Sequence, residues 1–541
     1  MTGRGPTRRA AIVLGAQAAA LPFLAPLARA AAPSLRIRDD LPARPISPLI
    51  YGSNEIGVMD GGAPSAELDR LAGVTARRLG GNLLTTYNWT NNAANAGKDR
   101  DHANAPYLLE ALRVPRMDWS RPAVVIEAMH EASLAMGAQS LVTLPIAGHV
   151  AADFAGMVSE AEAAPSRRFA PLRWSGRTPA DAPIDPAVAD MPQLVARLVA
   201  RYGPAGTPRA IMAYALDNEP GLWFQNHPRV TPRRVTIRAF IERAIEAARA
   251  IKDIDPQAQV FGPASWGATE MTTFQNAPDW NDYARYGSFL AAYLDAFREA
   301  SEREGRRLLD VLDVHWYAFH DRGDLFRSIR PELDAARLDA PRTLTEPGFV
   351  ESSWVPRAFR RHEGLGLPIL PHLEALCARR FPGVRLAVTE FNYGGAEDLA
   401  AGLAVVDALG RFGAAGVHFA SHWGSLAGWL GEAYRLYRAP DVTGAAFGDA
   451  GLAVETQAGP DIAAYAARGP IGDHLIVVNK SEQEAAVDIG FASSRPRAPA
   501  GALGFDAANP KVVALPEAVS AVDGGWRVRL PARAARRYAF V

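Results

Sequence analysis

The chain has 541 residues, of which 48% are hydrophobic, and its 58 basic residues are balanced by 58 acidic ones. A chain of this length exceeds one small core, so we expect either two domains or one large barrel with an accessory unit. The zero formal net charge excludes general electrostatic binding to nucleic acid or to an anionic membrane. Because Cys377 is the only cysteine, an intramolecular disulfide and a cysteine-based zinc site are also excluded.

Residues 1–30 have the pattern of a targeting segment. Arg8 and Arg9 precede an apolar stretch, 10–27, and 28–30 (Ala-Arg-Ala) offers small residues at the cleavage position. A single membrane anchor is the alternative, but two prolines within the stretch favour a cleaved signal. The paired arginines resemble a twin-arginine signal, which implies a bacterial protein exported to the periplasm or the medium.

Eight short apolar stretches alternate with helical patterns along most of the chain. They are typical of buried strands and lie at 49–54, 75–82, 139–146, 211–216, 259–265, 311–317, 386–395 and 416–423. Between them, 191–202, 233–254 and 287–305 carry apolar residues at helical spacing. This alternation predicts an α/β fold of the (β/α)8 TIM-barrel type, in which the active site lies at the C-terminal ends of the strands.

Two of the predicted strands end on a glutamate. The fourth runs into Asp217-Asn218-Glu219-Pro220, and the seventh runs through Glu390 into a Gly-Gly turn. A carboxylate at a strand end is a helix cap, a salt-bridge partner or a functional group. A retaining glycosidase needs two such groups, an acid/base and a nucleophile with carboxyl groups roughly 5 Å apart. We therefore predict that Glu219 and Glu390 are catalytic.

The pattern changes at about residue 430. Short strand-like runs follow at 463–467, 474–478, 485–489, 511–515 and 526–530, separated by Gly, Pro, Asn and Asp. They predict a smaller antiparallel β-sandwich. The strand-like segment 34–47 has no place in the barrel count and is expected to pair with the sandwich. The predicted domains are therefore a barrel at 49–430 and a discontinuous sandwich made of 34–48 and 431–541.

Two predicted connections of the barrel are much longer than the usual few residues. They are 147–190, which contains Trp174, and 318–382, which contains Trp354. Both leave the C-terminal face, so they are expected either to wall a cleft or to be decorative or disordered insertions.

Three segments in combination resemble glycoside hydrolase family 44. They are 214–223 (Tyr-Ala-Leu-Asp-Asn-Glu-Pro-Gly-Leu-Trp), 78–82 (Arg-Leu-Gly-Gly-Asn) with the asparagine-rich 87–97, and 389–395 (Thr-Glu-Phe-Asn-Tyr-Gly-Gly). Asn-Glu-Pro alone is shared by many barrel glycosidases, whereas the combination is specific. Leu79 and Phe391 depart from the family pattern, in which Trp and Tyr are usual.

The resemblance implies a barrel with a sandwich and retaining endo-hydrolysis of β-1,4-glucans, including cellulose-like and xyloglucan-type chains. By position it makes Glu219 the acid/base and Glu390 the nucleophile, and we place Asn82 in the substrate-binding set. No cofactor is required. Family members can hold a calcium near the loop after the third strand, so a structural calcium is an open expectation, although 147–190 has few carboxylates and no calcium-loop pattern.

Polar residues beside the two glutamates are candidates for supporting roles. Asn218 is expected to hydrogen-bond the sugar 2-OH, with turn formation as the alternative. His315 and Tyr317 share one face of the sixth strand, and they are expected to orient the seventh-strand glutamate unless the histidine is a core residue. Arg77 or Arg78 is expected to brace the glutamates by charge or to form a buried ion pair.

Trp89, Trp223, Trp266 and Trp423 follow the second, fourth, fifth and eighth predicted strands. Sugar rings present apolar CH faces that stack on indoles, so tryptophans at strand ends suit a saccharide cleft. We assign all four to the substrate-binding set, with a place in the core as the alternative for some of them.

The sequence therefore predicts an exported, monomeric retaining endo-β-1,4-glucanase whose partner is a polysaccharide, without a nucleic acid or membrane partner. One alternative is the same mechanism on another β-linked polymer such as mannan or xylan. Another is a non-catalytic glycan-binding protein on a barrel scaffold, which the presence of both glutamates and Asn218 disfavours. The patterns of a zinc-protease helix, a serine-hydrolase elbow, a P-loop and a dinucleotide fingerprint are absent from the sequence.

Overall fold

The structure is a computed structural model that describes residues 34–54, 65–326, 329–495, 497–515 and 519–541. These residues belong to one compact unit, Pro33–Val541. The predicted signal segment, 1–30, lies outside the described residues. In the part of the chain that the structure describes, no helix is both long and apolar enough to cross a bilayer.

Eight parallel strands form a closed barrel. In chain order they are β1 (Gly52–Asn54), β2 (Ala76–Leu79), β3 (Gln139–Leu144), β4 (Ala213–Leu216), β5 (Gln259–Ser265), β6 (Val311–Tyr317), β7 (Arg385–Asn392) and β8 (Phe419–His422). Each strand pairs with its neighbours in this order, and β8 pairs with β1 to close the barrel. The predicted (β/α)8 fold is confirmed, while several predicted stretches also include the turns at the strand ends.

A helix follows each barrel strand. These helices are α1 (Ser65–Ala72), α2 (Val124–Ala135), α3 (Met191–Tyr202), α4 (Ile237–Ile254), α5 (Phe289–Glu304), α6 (Ile369–Arg380), α7 (Leu399–Ala415) and α8 (Gly428–Arg438). Local signals explain several ends: Asp190 and Thr236 cap α3 and α4 by accepting backbone N–H groups of the first turn. Gly305 ends α5 with a φ of 64°, a conformation that suits glycine.

Side-chain alternation on β2 separates two neighbouring arginines. Arg78 lies on the same side of the strand as Ala76, which belongs to the cluster inside the barrel, and Arg77 lies on the other side. Arg77 Nε donates to the Asp69 carboxylate of α1 at 2.9 Å, and its Nη1 donates to the Met129 carbonyl of α2 at 3.3 Å. Arg77 therefore forms a buried structural ion pair with Asp69, and Arg78 extends into the barrel interior.

The C-terminal part of the chain is a β-sheet domain of eleven strands among the described residues. In pairing order ten of them are Asn509–Leu515, Pro499–Asp506, Ala534–Phe540, Asp473–Asn479, Ile462–Arg468, Ala450–Thr456, Ser34–Arg38, Ala485–Phe491, Gly525–Leu530 and Ser520–Val522, and Arg44–Pro45 pairs with Ala450–Thr456. Residues from both halves of this sheet share one apolar core, which includes Leu35, Leu475, Val487 and Val528.

The N-terminal strand lies inside this sheet. Ser34–Arg38 pairs antiparallel with Ala450–Thr456 and parallel with Ala485–Phe491. The sheet is therefore not wholly antiparallel as predicted, because a strand from the other end of the chain is inserted into it. The boundaries proposed for the two domains stay a prediction.

A buried carboxylate joins the sheet domain to the barrel. Asp407 on α7 accepts hydrogen bonds from Arg411 Nε at 2.9 Å, from Lys480 Nζ at 3.1 Å and from the Tyr465 hydroxyl. The Tyr465 ring lies so close to Gly410 that a Cβ there would approach it within 2.2 Å. Although burial raises the pKa of Asp407, Arg411 and Lys480 lower it to about 2. The carboxylate is ionised, and removal of either cation would leave its charge poorly compensated.

Both long connections contain ordered elements. The connection after β3 includes the strands His149–Ala151, Gly156–Met157, Phe169–Arg173 and Ala189–Asp190. The connection after β6 includes the short helices Asp334–Asp339, Arg342–Thr345 and Val355–Phe359. The predicted connection 318–382 also contained α6, which the sequence analysis did not separate from it.

Candidate active site

The chain enters a strained turn directly after β4. Asp217 and Glu219 have φ values of 68° and 44°, a left-handed conformation that is costly for residues other than glycine. The turn is held because the buried Asp217 carboxylate accepts hydrogen bonds from Thr85 Oγ1 and from the Ile146 amide, each at 2.6 Å. This conformation lets the Glu219 side chain reach His315 on β6.

Glu219 and Glu390 lie close together at the end of the barrel. Atoms of Glu219, His315 and Glu390 lie within 4.8 Å of one another, one from each side chain. His315 Nδ1 is 2.8 Å from Glu219 Oε1 and 3.5 Å from Glu390 Oε2. The Glu219 side chain is 14% exposed and that of Glu390 is 5% exposed. Both carboxyl groups are thus largely shielded from water, and Glu219 is the more accessible.

Two side chains donate hydrogen bonds to Glu390. Arg78 Nη1 donates to Oε1 at 2.8 Å, and the Tyr317 hydroxyl donates to Oε2 at 2.6 Å. The same Arg78 nitrogen donates to Asn54 Oδ1 at 2.9 Å, at the end of β1. Each carboxylate oxygen therefore has a fixed donor. The structure places Tyr317 against Glu390, and places His315 between the two glutamates rather than in an apolar core.

Asn218 connects this network to the segment after β2. Its Oδ1 accepts from Arg78 Nη2 at 2.8 Å, and its Nδ2 donates to Asn82 Oδ1 at 3.4 Å. Asn82 Nδ2 in turn donates to Asp99 at 3.0 Å. The two asparagines predicted to bind substrate are thus adjacent to each other and to the glutamate pair.

The surroundings shift the pKa values of the site in different directions. Burial raises the pKa of Glu219 to about 7; the Arg78 charge opposes this shift and the Asp99 charge adds to it. Burial lowers the pKa of His315 to about 3, so this imidazole is neutral. Burial and the charges of Glu390 and Glu219 raise the pKa of Tyr317 well above its ordinary value, so its hydroxyl remains a donor.

Two of the four tryptophans assigned to substrate lie where a sugar could reach them. Trp423 follows β8 and is partly exposed, and its ring lies over Gly81, where a Cβ would be 2.5 Å away. Trp266 follows β5, is partly exposed, and donates through Nε1 to Gln275 at 3.1 Å.

The other two tryptophans are core residues. Trp89 and Trp223 are each only 1% exposed, so neither ring can stack on a sugar, and the prediction that they contact substrate is wrong. Trp223 packs edge-on against Phe240 of α4 and donates through Nε1 to the Asn218 carbonyl at 3.0 Å. Its position after a strand end reflects support of the strained turn rather than contact with a ligand.

A row of aromatic rings leads away from Tyr317. Neighbouring rings are Tyr317 and Phe326 at 4.8 Å, Phe326 and Phe319 at 5.7 Å, Phe319 and Trp354 at 5.3 Å, and Trp354 and Trp266 at 5.6 Å between centroids. All five side chains are partly exposed. The connection after β6 therefore contributes aromatic rings to the neighbourhood of the site.

Three buried polar residues of this region were not predicted from the sequence. Asn54 donates to the Thr389 carbonyl at 2.9 Å besides accepting from Arg78, and its position at a strand end was the available signal. Asp217 anchors the turn, as a polar residue directly after an apolar strand could have suggested. Glu270 lies on the short helix Ala268–Thr273, which has no pattern that distinguishes it from a surface helix.

The glutamate pair with His315 has the residue types of a metal site. Arg78 already places a cation on Glu390, at 2.8 Å. A divalent ion bound to the same carboxylate would lie beside that guanidinium and be repelled by it. The cluster is better matched to charge stabilisation by arginine than to metal binding.

One cluster of acceptors in the loop after β3 does not fit the calcium that the family resemblance suggested. It surrounds the Arg168 guanidinium, which donates to Asp153 at 2.7 and 3.2 Å, to the Gly156 carbonyl at 2.9 Å and to the Met157 carbonyl at 3.2 Å. Carboxylate and carbonyl oxygens of this kind are calcium ligands. Here a side-chain cation already engages them.

The chain matches known proteins along most of its length. The sequence model of glycoside hydrolase family 44 matches residues 93–319. A xyloglucanase of that family from Paenibacillus polymyxa, solved with xyloglucan, is 34% identical with a TM-score of 0.86 and covers 94% of this chain and 99% of that one. The endoglucanase Cel44A from Clostridium thermocellum is 36% identical with a TM-score of 0.86 and covers 94% and 100%.

Two curated relatives are longer than this chain. Endoglucanase A from Paenibacillus lautus is 37% identical over an alignment of 456 residues that covers 81% of this chain and 62% of that protein. Beta-mannanase/endoglucanase A from Caldicellulosiruptor saccharolyticus is 37% identical over an alignment of 493 residues that covers 86% of this chain and 36% of that protein. The chain thus spans less than two thirds of either relative. Because solved structures above 30% identity are matched over almost their whole length, the predicted family is confirmed, and the chain belongs to glycoside hydrolase family 44.

Proposed function

We propose that the chain is a retaining endo-β-1,4-glucanase in which Glu390 is the nucleophile and Glu219 the acid/base. The observation that carries this proposal is the separation of the two carboxyl groups: one oxygen of Glu219 and one oxygen of Glu390 lie within 4.8 Å of each other. Retaining glycosidases place these groups about 5 Å apart, whereas inverting enzymes leave roughly 6.5–9.5 Å for a water molecule. The short separation supports direct attack by a carboxylate.

In the first step, a Glu390 oxygen attacks the anomeric carbon as the bond to the leaving sugar breaks. Glu219 gives its proton to the leaving oxygen, and a covalent glycosyl ester forms on Glu390. The pKa of Glu219 near 7 suits this donation, since the group is protonated below that pH. Arg78 and Tyr317 hold the attacking carboxylate in place through its two oxygens.

In the second step, Glu219 takes a proton from water as the water oxygen attacks the anomeric carbon. The ester bond breaks, Glu390 leaves as a carboxylate, and Glu219 is protonated for the next turnover. Asn218 is positioned beside both glutamates, where its amide can hydrogen-bond the sugar 2-OH. No redox cofactor or metal takes part in either step.

The substrate class follows from the exposed aromatic rings and the names of the relatives. Trp423, Trp266 and the row from Tyr317 to Trp354 offer stacking surfaces for several sugar rings. The matched solved enzymes are named as an endoglucanase and a xyloglucanase. We therefore propose cellulose-like and xyloglucan-type β-glucans as substrates.

Mannan is the second candidate substrate, because one curated relative is named a beta-mannanase as well as an endoglucanase. That relative is matched over only 36% of its length, and its two named activities need not share one domain. The glucan proposal is therefore preferred, with mannan as the comparison substrate.

The test measures reducing-sugar release from carboxymethylcellulose, xyloglucan, lichenan, glucomannan, mannan and xylan. Glu219→Gln and Glu390→Gln should each lower turnover of the preferred glucan by at least about 10²-fold without loss of folding. Glu397→Gln is the matched control, since Glu397 is exposed and follows the same strand as Glu390. NMR of the first products should show the β-anomer. Full activity of the Glu390→Gln variant would contradict the proposal, and an initial α-anomer would indicate inversion.

We also propose that the chain is exported by the twin-arginine route and acts as a monomer. The support for export is the sequence pattern of Arg8 and Arg9 before an apolar stretch. Replacement of both arginines by lysine should retain the protein in the cytoplasm of a host with this pathway. Export at an unchanged rate would contradict the proposed route, and light scattering at two protein concentrations tests the oligomeric state.

A further inference from the structure

Glu270 is a buried carboxyl group that the proposed reaction does not use. It lies on the helix Ala268–Thr273 after β5, and it is completely buried. Its Oε2 accepts a hydrogen bond from the Trp266 amide at 3.3 Å, and the Gly221 amide also donates to this carboxyl group. The Ser265 side chain also bonds to this carboxyl group. A completely buried carboxyl group is costly unless it has a role.

The Glu270 side chain lies against the turn that carries Glu219. A Cβ built on Gly221, two residues after Glu219, would lie 2.9 Å from the Glu270 carboxyl carbon. The Glu219 amide itself donates to the Ala264 carbonyl at the end of β5, at 3.1 Å. The carboxyl group of Glu270 thus joins an amide of the loop after β4 to an amide of the loop after β5.

Burial favours the protonated form of Glu270 in the folded protein. Burial raises its pKa well above the ordinary value, and the charge of Glu219 raises it further. In the neutral form, Oε2 can accept from both amides while the proton resides on Oε1. Glutamine reproduces this arrangement, because its carbonyl oxygen accepts and its amide nitrogen takes the place of Oε1.

We propose that Glu270 is a positioning residue for the acid/base: its carboxyl group holds the turn at Gly221 against the loop after β5, and so fixes Glu219 relative to the leaving-group oxygen. This inference rests on the proposed function. It adds to the proposed mechanism a residue that acts only through Glu219 and the turn that carries it. Trp266 is held by the same carboxyl group. The turn that carries Glu219 and the backbone of the partly exposed Trp266 are therefore both held by the buried carboxyl group of Glu270.

A displaced Glu219 should change the kinetics in a way that a general loss of folded structure would not. Cleavage of a polysaccharide expels a sugar alkoxide and needs a well-placed proton donor. Formation of the glycosyl-enzyme from a 2,4-dinitrophenyl glycoside expels a stable phenolate and does not, although hydrolysis of that intermediate still uses Glu219 as the base. A displacement of about 1 Å can cost roughly 10²-fold in rate. Loss of the Glu270 contact should therefore affect the first substrate class far more than the second.

The test compares the wild type, Glu270→Ala and Glu270→Gln on carboxymethylcellulose and on 2,4-dinitrophenyl β-cellotrioside. For Glu270→Ala, kcat/KM on the polysaccharide should fall by about 10²-fold, while kcat/KM on the aryl glycoside, which reports formation of the glycosyl-enzyme, changes by less than about threefold. Glu270→Gln should stay within about threefold of the wild type on both substrates. Equal losses on both substrates, or no loss on the polysaccharide, would overturn the inference.

Gly221→Ala tests the same contact from the other side, and it remains informative if Glu270→Ala folds poorly. Its Cβ should push against the Glu270 carboxyl group and lower polysaccharide turnover. In the double variant with Glu270→Ala the added methyl group has space, so the two losses should not add. Strictly additive losses would contradict a direct contact. The proposed function is judged separately, by the Glu390→Gln variant and by product stereochemistry.

Discussion

The pKa of Glu219 should set the upper pH limit of turnover. Burial raises this pKa to about 7, with the Arg78 charge opposing and the Asp99 charge adding to the shift. The proposed acid must carry its proton before the sugar bond can break. The value of kcat/KM should therefore fall as the pH rises through 7. One unit above the pKa, about one tenth of the molecules remain protonated, so the rate falls about tenfold for each further unit.

Asp99→Asn should lower the upper pH limit of the reaction. The substitution removes a negative charge that favours the protonated form of Glu219, so the alkaline limb should move to lower pH. The 3.0 Å contact with Asn82 can persist, because the amide oxygen of the new side chain also accepts. Asp101→Asn is the matched control, since Asp101 is exposed two residues further on and the charges that shift the pKa of Glu219 are those of Arg78 and Asp99.

The assay follows kcat/KM on a soluble β-glucan from about pH 4 to about pH 9 at constant ionic strength. The wild-type midpoint should lie near 7, the Asp99→Asn midpoint below it, and the Asp101→Asn midpoint at the wild-type position. If the alkaline midpoint of kcat/KM for Asp99→Asn equals that of the wild type, the Asp99 charge does not act on Glu219 and the reasoning is refuted. A wild-type limb beginning only above pH 9 would show that Glu219 is not the group whose proton limits the reaction.

Four further outcomes are expected. Because the folded-state pKa of Glu219 is raised from 4.5 to about 7, the folded protein binds more protons than the unfolded chain in this window. Its stability should therefore fall by up to about 3 kcal/mol as the pH rises from 4.5 to 7; urea unfolding of Glu219→Gln should lack this component. Tyr317→Phe keeps the ring beside Phe326 but removes a 2.6 Å hydrogen bond to the nucleophile, which should cost about 1.5–3 kcal/mol in transition-state stabilisation, measured as kcat/KM. Trp423→Ala should weaken cello-oligosaccharide binding to a Glu390→Gln background by about tenfold in calorimetry, and unchanged binding would remove Trp423 from the substrate site. A calcium chelator should leave the wild-type Tm unchanged, whereas Arg168→Met should lower it, because the carboxylates of Asp153 and Glu162 and two backbone carbonyls lose their cation.

The barrel was predictable because most of its strands are short, largely apolar runs bounded by turn residues. A parallel barrel strand is buried on both faces, so the runs at 259–265 and 311–317 read as strands with their bounds correct. The two glutamates were predictable for a related reason. Each interrupts an apolar run at the end of a strand, where a charge must either be paired or be used.

The tryptophans show where this reasoning fails. A strand end predicts that a residue lies near the barrel mouth, but not which way its side chain turns. After β4 the chain passes through two left-handed residues, and Trp223 then lies inward against α4. The backbone conformation that places Glu219 in the site is the same one that buries Trp223. Position along the strand pattern could not reveal this, because Asp217 and Glu219 are not residue types that mark a left-handed turn as glycine does.

In the proposed mechanism the two glutamates have opposite roles, and their neighbours decide which role each takes. Glu390 accepts from Arg78 at 2.8 Å and from Tyr317 at 2.6 Å, so a cation and a fixed donor stabilise a charged nucleophile. Glu219 contacts the neutral His315 at 2.8 Å and lies near the buried carboxyl group of Glu270. An acid that must hold a proton is thus kept among groups that do not favour its charge.

This difference depends on the alternation of side chains along β2. Arg78 extends into the barrel and reaches Glu390, while Arg77 extends to the outside and pairs with Asp69 at 2.9 Å. A shift of β2 by one residue would exchange the two faces and place the wrong arginine beneath the active site. The pairing of Arg77 outside the barrel and the bonds of Arg78 to Asn54 and Asn218 inside it both oppose such a shift. The contacts that hold Arg78 beside the proposed nucleophile are therefore the same ones that fix the register of the strand.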